Sequence, residues 1–197
     1  PDLHILLDPA PRRVEAFRSG NEAVIDEASC RRCGRCFELC RFGAVIRAGD
    51  EYRIDPARCE GCGVCHALCP AGAVAFPERR CGEWYVSDTR FGPMVHAQLF
   101  PGQENSGRLV SLLKREARAL AGELGLDTIV CDGSPGVGCP VISSLSGATL
   151  AVAMVEPTPS GRHDFVRVAD LCAHFRIPLA VLINKADLNA AEAAALA

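Results

Sequence analysis

The sequence predicts an α/β fold, a parallel sheet with helices, interrupted by a small cysteine-rich α+β module. Two observations carry this. Three apolar runs, at residues 128–131 (TIVC), 150–155 (LAVAMV) and 179–183 (LAVLI), read as buried parallel strands and alternate with helical segments. Ahead of them, residues 30–69 hold two runs of four cysteines at one spacing.

Taken in order, residues 3–7 (LHILL) read as a short strand closed by Asp8-Pro9-Ala10-Pro11. Polar sequence follows over residues 12–21, and residues 23–26 form a brief strand leading to the first cysteines. The block CGRCFELCRFGAV returns as CGVCHALCPAGAV 29 residues later. Each half predicts a loop, a helical turn and a short strand (44–47 and 73–76), and residues 52–54 form a strand entering the second loop. The texture changes at Gly82, where residues 84–86 and 93–100 read as strands. Ser106 is the expected cap of a helix with Leu109, Leu112, Leu113, Leu120 and Leu124 on one side, ended by Gly125. Phe165, Val168, Ala169, Cys172 and Phe175 line one face of a helix between the last two strands. The expected domains are therefore a piece of the α/β domain at 1–22, the cysteine module at 23–80 and the rest of the α/β domain at 81–197.

Cys30, Cys33, Cys36 and Cys40 stand at C-x2-C-x2-C-x3-C, and Cys59, Cys62, Cys65 and Cys69 repeat it, with Pro70 following the second set. This is the bacterial-type ferredoxin pattern for two [4Fe–4S] clusters. Three thiolates on a short loop wrap one cubane, and the fourth, starting a helical turn, points to the other. The spacing thus assigns Cys30, Cys33, Cys36 and Cys69 to one cluster, and Cys59, Cys62, Cys65 and Cys40 to the other. Disulfides suit small secreted domains, and structural zinc takes two C-x2-C pairs, so neither competes well. Arg41 stands where proline is usual after the first run. Arg31, Arg32 and Arg35 crowd the first loop, while the second has Glu60, so the first cluster is expected to have the higher potential. Cys81, Cys131 and Cys172 read as small buried hydrophobes. His66 lies inside the second loop, where cysteines already fill the ligand positions.

The composition is compatible with a sizeable core: 197 residues, 49% hydrophobic, with mean hydropathy +0.13. A net charge of −3 gives no reason to expect nucleic-acid binding, and no apolar run approaches the roughly 20 residues of a membrane span. Twelve cysteines without an export signal fit a reducing cytoplasm. Pro1 opens directly on an apolar run and Ala197 falls inside an Ala-rich helical pattern, so the chain is expected to be an internal portion of a longer protein.

A second constellation lies in the α/β part. The ends of parallel strands are where ligands bind in open sheets. Asp132 ends the first run, placed to hold magnesium beside a phosphate. Gly133, Gly136 and Gly138 follow, allowing backbone N–H groups to approach phosphate oxygens. Asn184, Lys185 and Asp187 follow the last run, where Asn184 offers a donor and an acceptor to a purine edge. Each loop alone reads equally well as an ordinary strand-to-helix turn.

In DGSPGVGCPVISSLSGA, MVEPTPSGRHD, PLAVLINKADLN, YVSDTRFGPMVHA and the paired cysteine runs, the sequence resembles the MinD/Mrp-like P-loop ATPases that carry an inserted ferredoxin domain. The resemblance covers nearly the whole chain. It implies a P-loop NTPase-like parallel sheet, with Asp132 as the switch II aspartate and catalytic residue, Gly133, Gly136, Asn184 and Asp187 at the nucleotide, and Cys139 within a GCPV motif rather than on iron. No G-x-x-x-x-G-K-[ST] or deviant Walker A loop occurs in these residues. The function implied is an ATPase, with ATP and magnesium bound in the full-length protein, coupling nucleotide to electron delivery or to metallocentre maturation. Its partners would be a redox protein or a metalloprotein client, and a homodimer is implied by similar proteins. The rival readings are a ferredoxin-type electron carrier with a non-catalytic α/β scaffold and, third, iron storage or cluster donation.

Overall fold

The computed structural model describes residues 3–103 and 107–196. Along the chain run α1 (Leu3–Leu7), β1 (Ala10–Asn21), β2 (Val24–Ile25), α2 (Arg35–Leu39), β3 (Val45–Ala48), β4 (Glu51–Ile54), α3 (Val64–Ala67), β5 (Val74–Ala75), β6 (Glu78–Thr89) and β7 (Gly92–Leu99). Then come α4 (Gly107–Leu124), α5 (Cys139–Leu145), β8 (Ala151–Val155), α6 (Pro159–His174), β9 (Leu179–Ile183), a 3-10 turn (Ala186–Leu188) and α7 (Ala190–Leu196). The chain divides into two compact units, one of residues 14–84 and 97–104, the other of residues 1–13, 85–96 and 105–197. Strands β1, β6 and β7 form a three-stranded sheet in the order β1-β6-β7.

The cysteine-rich unit is closed by pairing its first short strand with its last. β2 pairs antiparallel with β5, Val24 opposite Ala75 and Ile25 opposite Val74, and β3 pairs with β4 between them. The 29-residue repeat is visible in the backbone. Gly34 and Gly63 open α2 and α3 in the same left-handed conformation, φ 77° and 74°. The core is made of small side chains from equivalent places, Ala44 with Val45 and Ala73 with Val74, supplemented by Ala23, Phe17 and Trp84. A fully buried valine contributes about 1.5–3 kcal/mol and alanine less, so this core alone is thin for its unit.

In the other unit α4 packs on α5, burying Leu109, Ala121 and Val141. Lys114 Nζ donates to the carbonyls of Ser143 (3.2 Å) and Ser146 (2.7 Å), satisfying acceptors at the C-terminal end of α5. β8 and β9 lie parallel in register from Ala151–Leu179 to Val155–Ile183, joined by α6. Thr158 caps α6 by accepting from the Gly161 N–H at 3.0 Å. Phe165, Val168 and Ala169 are half-buried and Cys172 fully buried, the face expected from their spacing, although Phe175 is exposed.

Five expectations change, one of them at Cys131, which was expected to be buried and is exposed, while Cys81 and Cys172 are buried. Residues 3–7 are helical, not a strand, and Ile5 and Leu6 are exposed. A five-residue apolar run has no distinguishable period, and its leucines favour helix once no strand pairs with it. The polar stretch before Asn21 is the long strand β1, decided by its pairing with β6 and not by its composition. Residues 128–131 form no strand, with Val130 90% exposed. A ladder needs a neighbour, and the sequence of one run cannot supply it. Consequently the parallel sheet among the described residues has two strands, β8 and β9, where three were expected. Other elements appear near their expected places, with β6 longer at both ends and β7 beginning and ending one residue earlier. The expected Ser106 cap lies outside the described residues.

Candidate metal centre

All twelve cysteines are free thiols. Cys30, Cys33 and Cys36 line one cavity together with Cys69, the last cysteine of the other run. Ile25, Ala73 and Val74 make its wall apolar, Tyr52 borders it, and Arg31 and Arg35 stand at it. This grouping follows from the closure of the unit, since β2 and β5 bring the ends of the two halves together. The remaining four, Cys40, Cys59, Cys62 and Cys65, are related to these by the repeat.

The thiols suit a cluster more than a single ion. Among the described residues no three His, Cys, Asp or Glu side chains are placed to hold one metal ion. Zinc would gather its sulfurs about 2.3 Å from one point, whereas a cubane spreads its four thiolates over four irons. Backbone amides serve the sulfurs in matching fashion. The Ala44 N–H donates to Cys40 Sγ and the Ala73 N–H to Cys69 Sγ, both at 3.3 Å, and the Arg32 N–H reaches Cys30 Sγ at 3.4 Å. Such donors favour sulfur carrying negative charge.

The thiol acidities divide accordingly. Burial pushes Cys36 and Cys65 up, and neighbouring thiols add to it: Cys30 and Cys65 at Cys36, Cys59 and Cys62 at Cys65. Burial also acts to raise Cys40, but the amides of Val45, Ala44, Phe42 and Gly43 outweigh it and hold that thiol below its ordinary value. Crowded, partly desolvated thiols are costly to ionise alone, and iron supplies the positive charge that offsets this.

Three residues contribute in ways that their places in the sequence do not announce. Tyr52, at the cavity, meets the Phe37 ring with centroids 6.0 Å apart. His66 has Nδ1 on the Val74 carbonyl and its ring stacked on Phe76 at 5.6 Å, which makes it a brace for the second half. Arg79, on β6, donates to the carbonyl of Cys59 and its Nε lies 3.2 Å from a Glu22 carboxylate oxygen. That Nε is not aligned for a directed hydrogen bond and is otherwise orphaned, so the contact with Glu22 is charge attraction at short range. Nothing in the spacing of Arg79 announces this role. Arg79→Met is expected to destabilise the unit by about 1–3 kcal/mol, since it strands a carbonyl and a carboxylate. It should also speed iron release to a chelator severalfold. Unchanged melting and release would remove Arg79 from the site.

The nucleotide candidates are placed differently. Asp132, Gly133 and Gly136 lie in an exposed loop without regular structure, and Asn184 and Asp187 follow β9, also exposed. Among the described residues no hydrogen bond or ion pair joins the first group to the second. Asn184 Oδ1 accepts from the Lys185 N–H at 3.1 Å, and Lys185 Nζ is paired with Glu156 at 2.5 Å.

A 4Fe-4S binding domain family matches residues 52–75, which take in Cys59, Cys62, Cys65 and Cys69. The chain therefore contains a ferredoxin-type iron–sulfur domain, which supports a [4Fe–4S] cluster and an electron-carrier role. Along more of its length the chain is similar to an uncharacterized protein of Methanocaldococcus jannaschii, 36% identical over 160 residues, covering 81% of this chain and 55% of that protein. The chain thus spans little more than half the length of this relative. Among the described residues no helix is long and apolar enough to cross a membrane.

Proposed function

We propose that this chain is a two-cluster electron-transfer module of a larger, cytoplasmic, nucleotide-dependent protein. One [4Fe–4S] cluster is held by Cys30, Cys33, Cys36 and Cys69, the other by Cys59, Cys62, Cys65 and Cys40. The observation that carries this reading is the cavity shared by three cysteines of one run and the last of the other. The clusters, when bound, supply one-electron redox chemistry. The chain's part is to present eight thiolates, to point amides at them, and to keep water from the buried sides of the cavity with Ile25, Ala73 and Val74. The cysteine module is assigned to residues 23–80, flanked by the α/β pieces 1–22 and 81–197. Iron and sulfide analysis of anaerobically prepared protein should give about eight irons per chain, with EPR of two interacting centres after reduction. A single slow-relaxing centre, or zinc in place of iron, would overturn the reading.

The finer part is that ATP binding or hydrolysis in the longer protein is coupled to electron delivery or to metallocentre maturation in a client, with a homodimer as the working form. Its support is the resemblance to MinD/Mrp-like ATPases and the parallel pair β8–β9 with polar ends at Glu156 and Asn184. Asp132 would hold magnesium and Asn184 the base. A plain electron carrier with an inert scaffold is favoured instead by one observation, the engagement of Lys185 with Glu156 at 2.5 Å. Both readings expect residues 1–197 to bind Mg-ATP weakly, with Kd about 1 mM or above and no turnover, because the cradle and lysine that grip the phosphates are not in this sequence. Calorimetry checks it, and micromolar binding would place the nucleotide site within these residues.

A further inference from the structure

We propose that the face around the Cys30–Cys36 loop is a docking surface for an acidic electron-transfer protein. This rests on the cluster reading above, since it is the cluster cavity that gives such a partner a reason to bind there.

The first cysteine run carries charge that no carboxylate among the described residues balances. Residues 30–42 carry Arg31, Arg32, Arg35 and Arg41 against a single acid, Glu38, and the equivalent stretch 59–71 carries Glu60 and no arginine or lysine. The whole chain has net charge −3, so the positive patch opposes the average. All four arginines are exposed, and among the described residues none is ion-paired. Elsewhere in the same unit arginines do find carboxylates: Arg47 meets Asp50, Arg53 meets Glu51, Arg58 meets Asp55, Arg79 meets Glu22 and Arg80 meets Glu83. Fold stability therefore does not account for the four in residues 30–42.

Apolar surface accompanies the charge. Phe37 is 48% exposed and Phe42 44%, both within the same stretch. Exposed aromatics among arginines are the composition of an interface centre and not of an ordinary solvated face. The position matters as well, because Arg31 and Arg35 stand at the cavity of Cys30, Cys33, Cys36 and Cys69. A partner that neutralised these guanidinium groups would bring its own redox centre next to that cavity. Long-range attraction would also speed and orient the encounter.

The test is binding of an acidic flavodoxin to the iron-loaded chain, with iron content measured alongside. Binding should weaken at least tenfold between about 20 mM and 200 mM salt, as expected for charge contacts at the surface. Replacing the two arginines that do not line the cavity (R32E, R41E) should weaken it severalfold at low salt with iron content unchanged. If that variant loads poorly, the glutamine pair (R32Q, R41Q) and the pair F37S, F42S take its place, each expected to weaken binding severalfold. Salt-independent binding, or unchanged affinity in iron-replete variants, overturns the docking surface while leaving the cluster reading intact. Tighter binding of polyuridylate than of flavodoxin overturns it in favour of a nucleic acid. A wild-type chain that takes up no iron overturns the cluster reading, and the docking surface with it.

Discussion

Cys69→Ala should lower the iron content from about eight to about four per chain, and the cluster it removes should be that of the first cysteine run. Cys69 stands in the second run by sequence but shares its cavity with Cys30, Cys33 and Cys36. Paired substitutions make the crossing visible. Cys33→Ala with Cys69→Ala should cost no more iron than either alone, because both empty one site. Cys62→Ala with Cys69→Ala should leave almost none. Ligation within each run predicts the reverse, so iron counts of the two double variants decide between them. The stability consequence is also large. Ala44, Val45, Ala73 and Val74 make a small core, and bound clusters add their binding free energy to folding. Each lost cluster should lower the melting temperature of the module, and removal of both by a chelator should abolish its cooperative transition.

Gly61→Ala is the second large effect. Gly61 has φ +64°, and a Cβ there would sit 2.4 Å from the backbone carbonyl oxygen of Asn21. Conformation alone would be tolerable. At the equivalent place in the first loop Arg32 adopts φ 55° with a full side chain. The close carbonyl is what a methyl group cannot meet, and it belongs to backbone held at the end of β1. Left-handed strain and overpacking together should cost about 2–4 kcal/mol. Because Gly61 sits between Cys59 and Cys62, the displacement should reach the second cluster first. Thermal melts and iron analysis of Gly61→Ala check this, with Arg32→Gly as the comparison, for which full iron loading is expected. A Gly61→Ala protein that melts and loads like wild type would show that the loop has room to move.

The sequence by itself determined the parts whose information is local. The cysteine intervals, the 29-residue repeat, the helical turns after Gly34 and Gly63, and the long amphipathic helix ended by Gly125 are short-range matters of spacing and backbone freedom. A thiolate loop around a cubane is specified by its own few residues. What only the tertiary structure decided was pairing. Residues 128–131 and residues 10–21 illustrate it in opposite directions, since an apolar run stayed unpaired while a polar one became a long strand. The roles of Arg79 and Gly61 belong to the same class, set by Cys59 and Asn21, partners that are distant from them in the chain. A strand ladder, a carbonyl anchor and a steric limit each depend on a second segment of backbone, and one segment's sequence carries no record of which other will lie beside it.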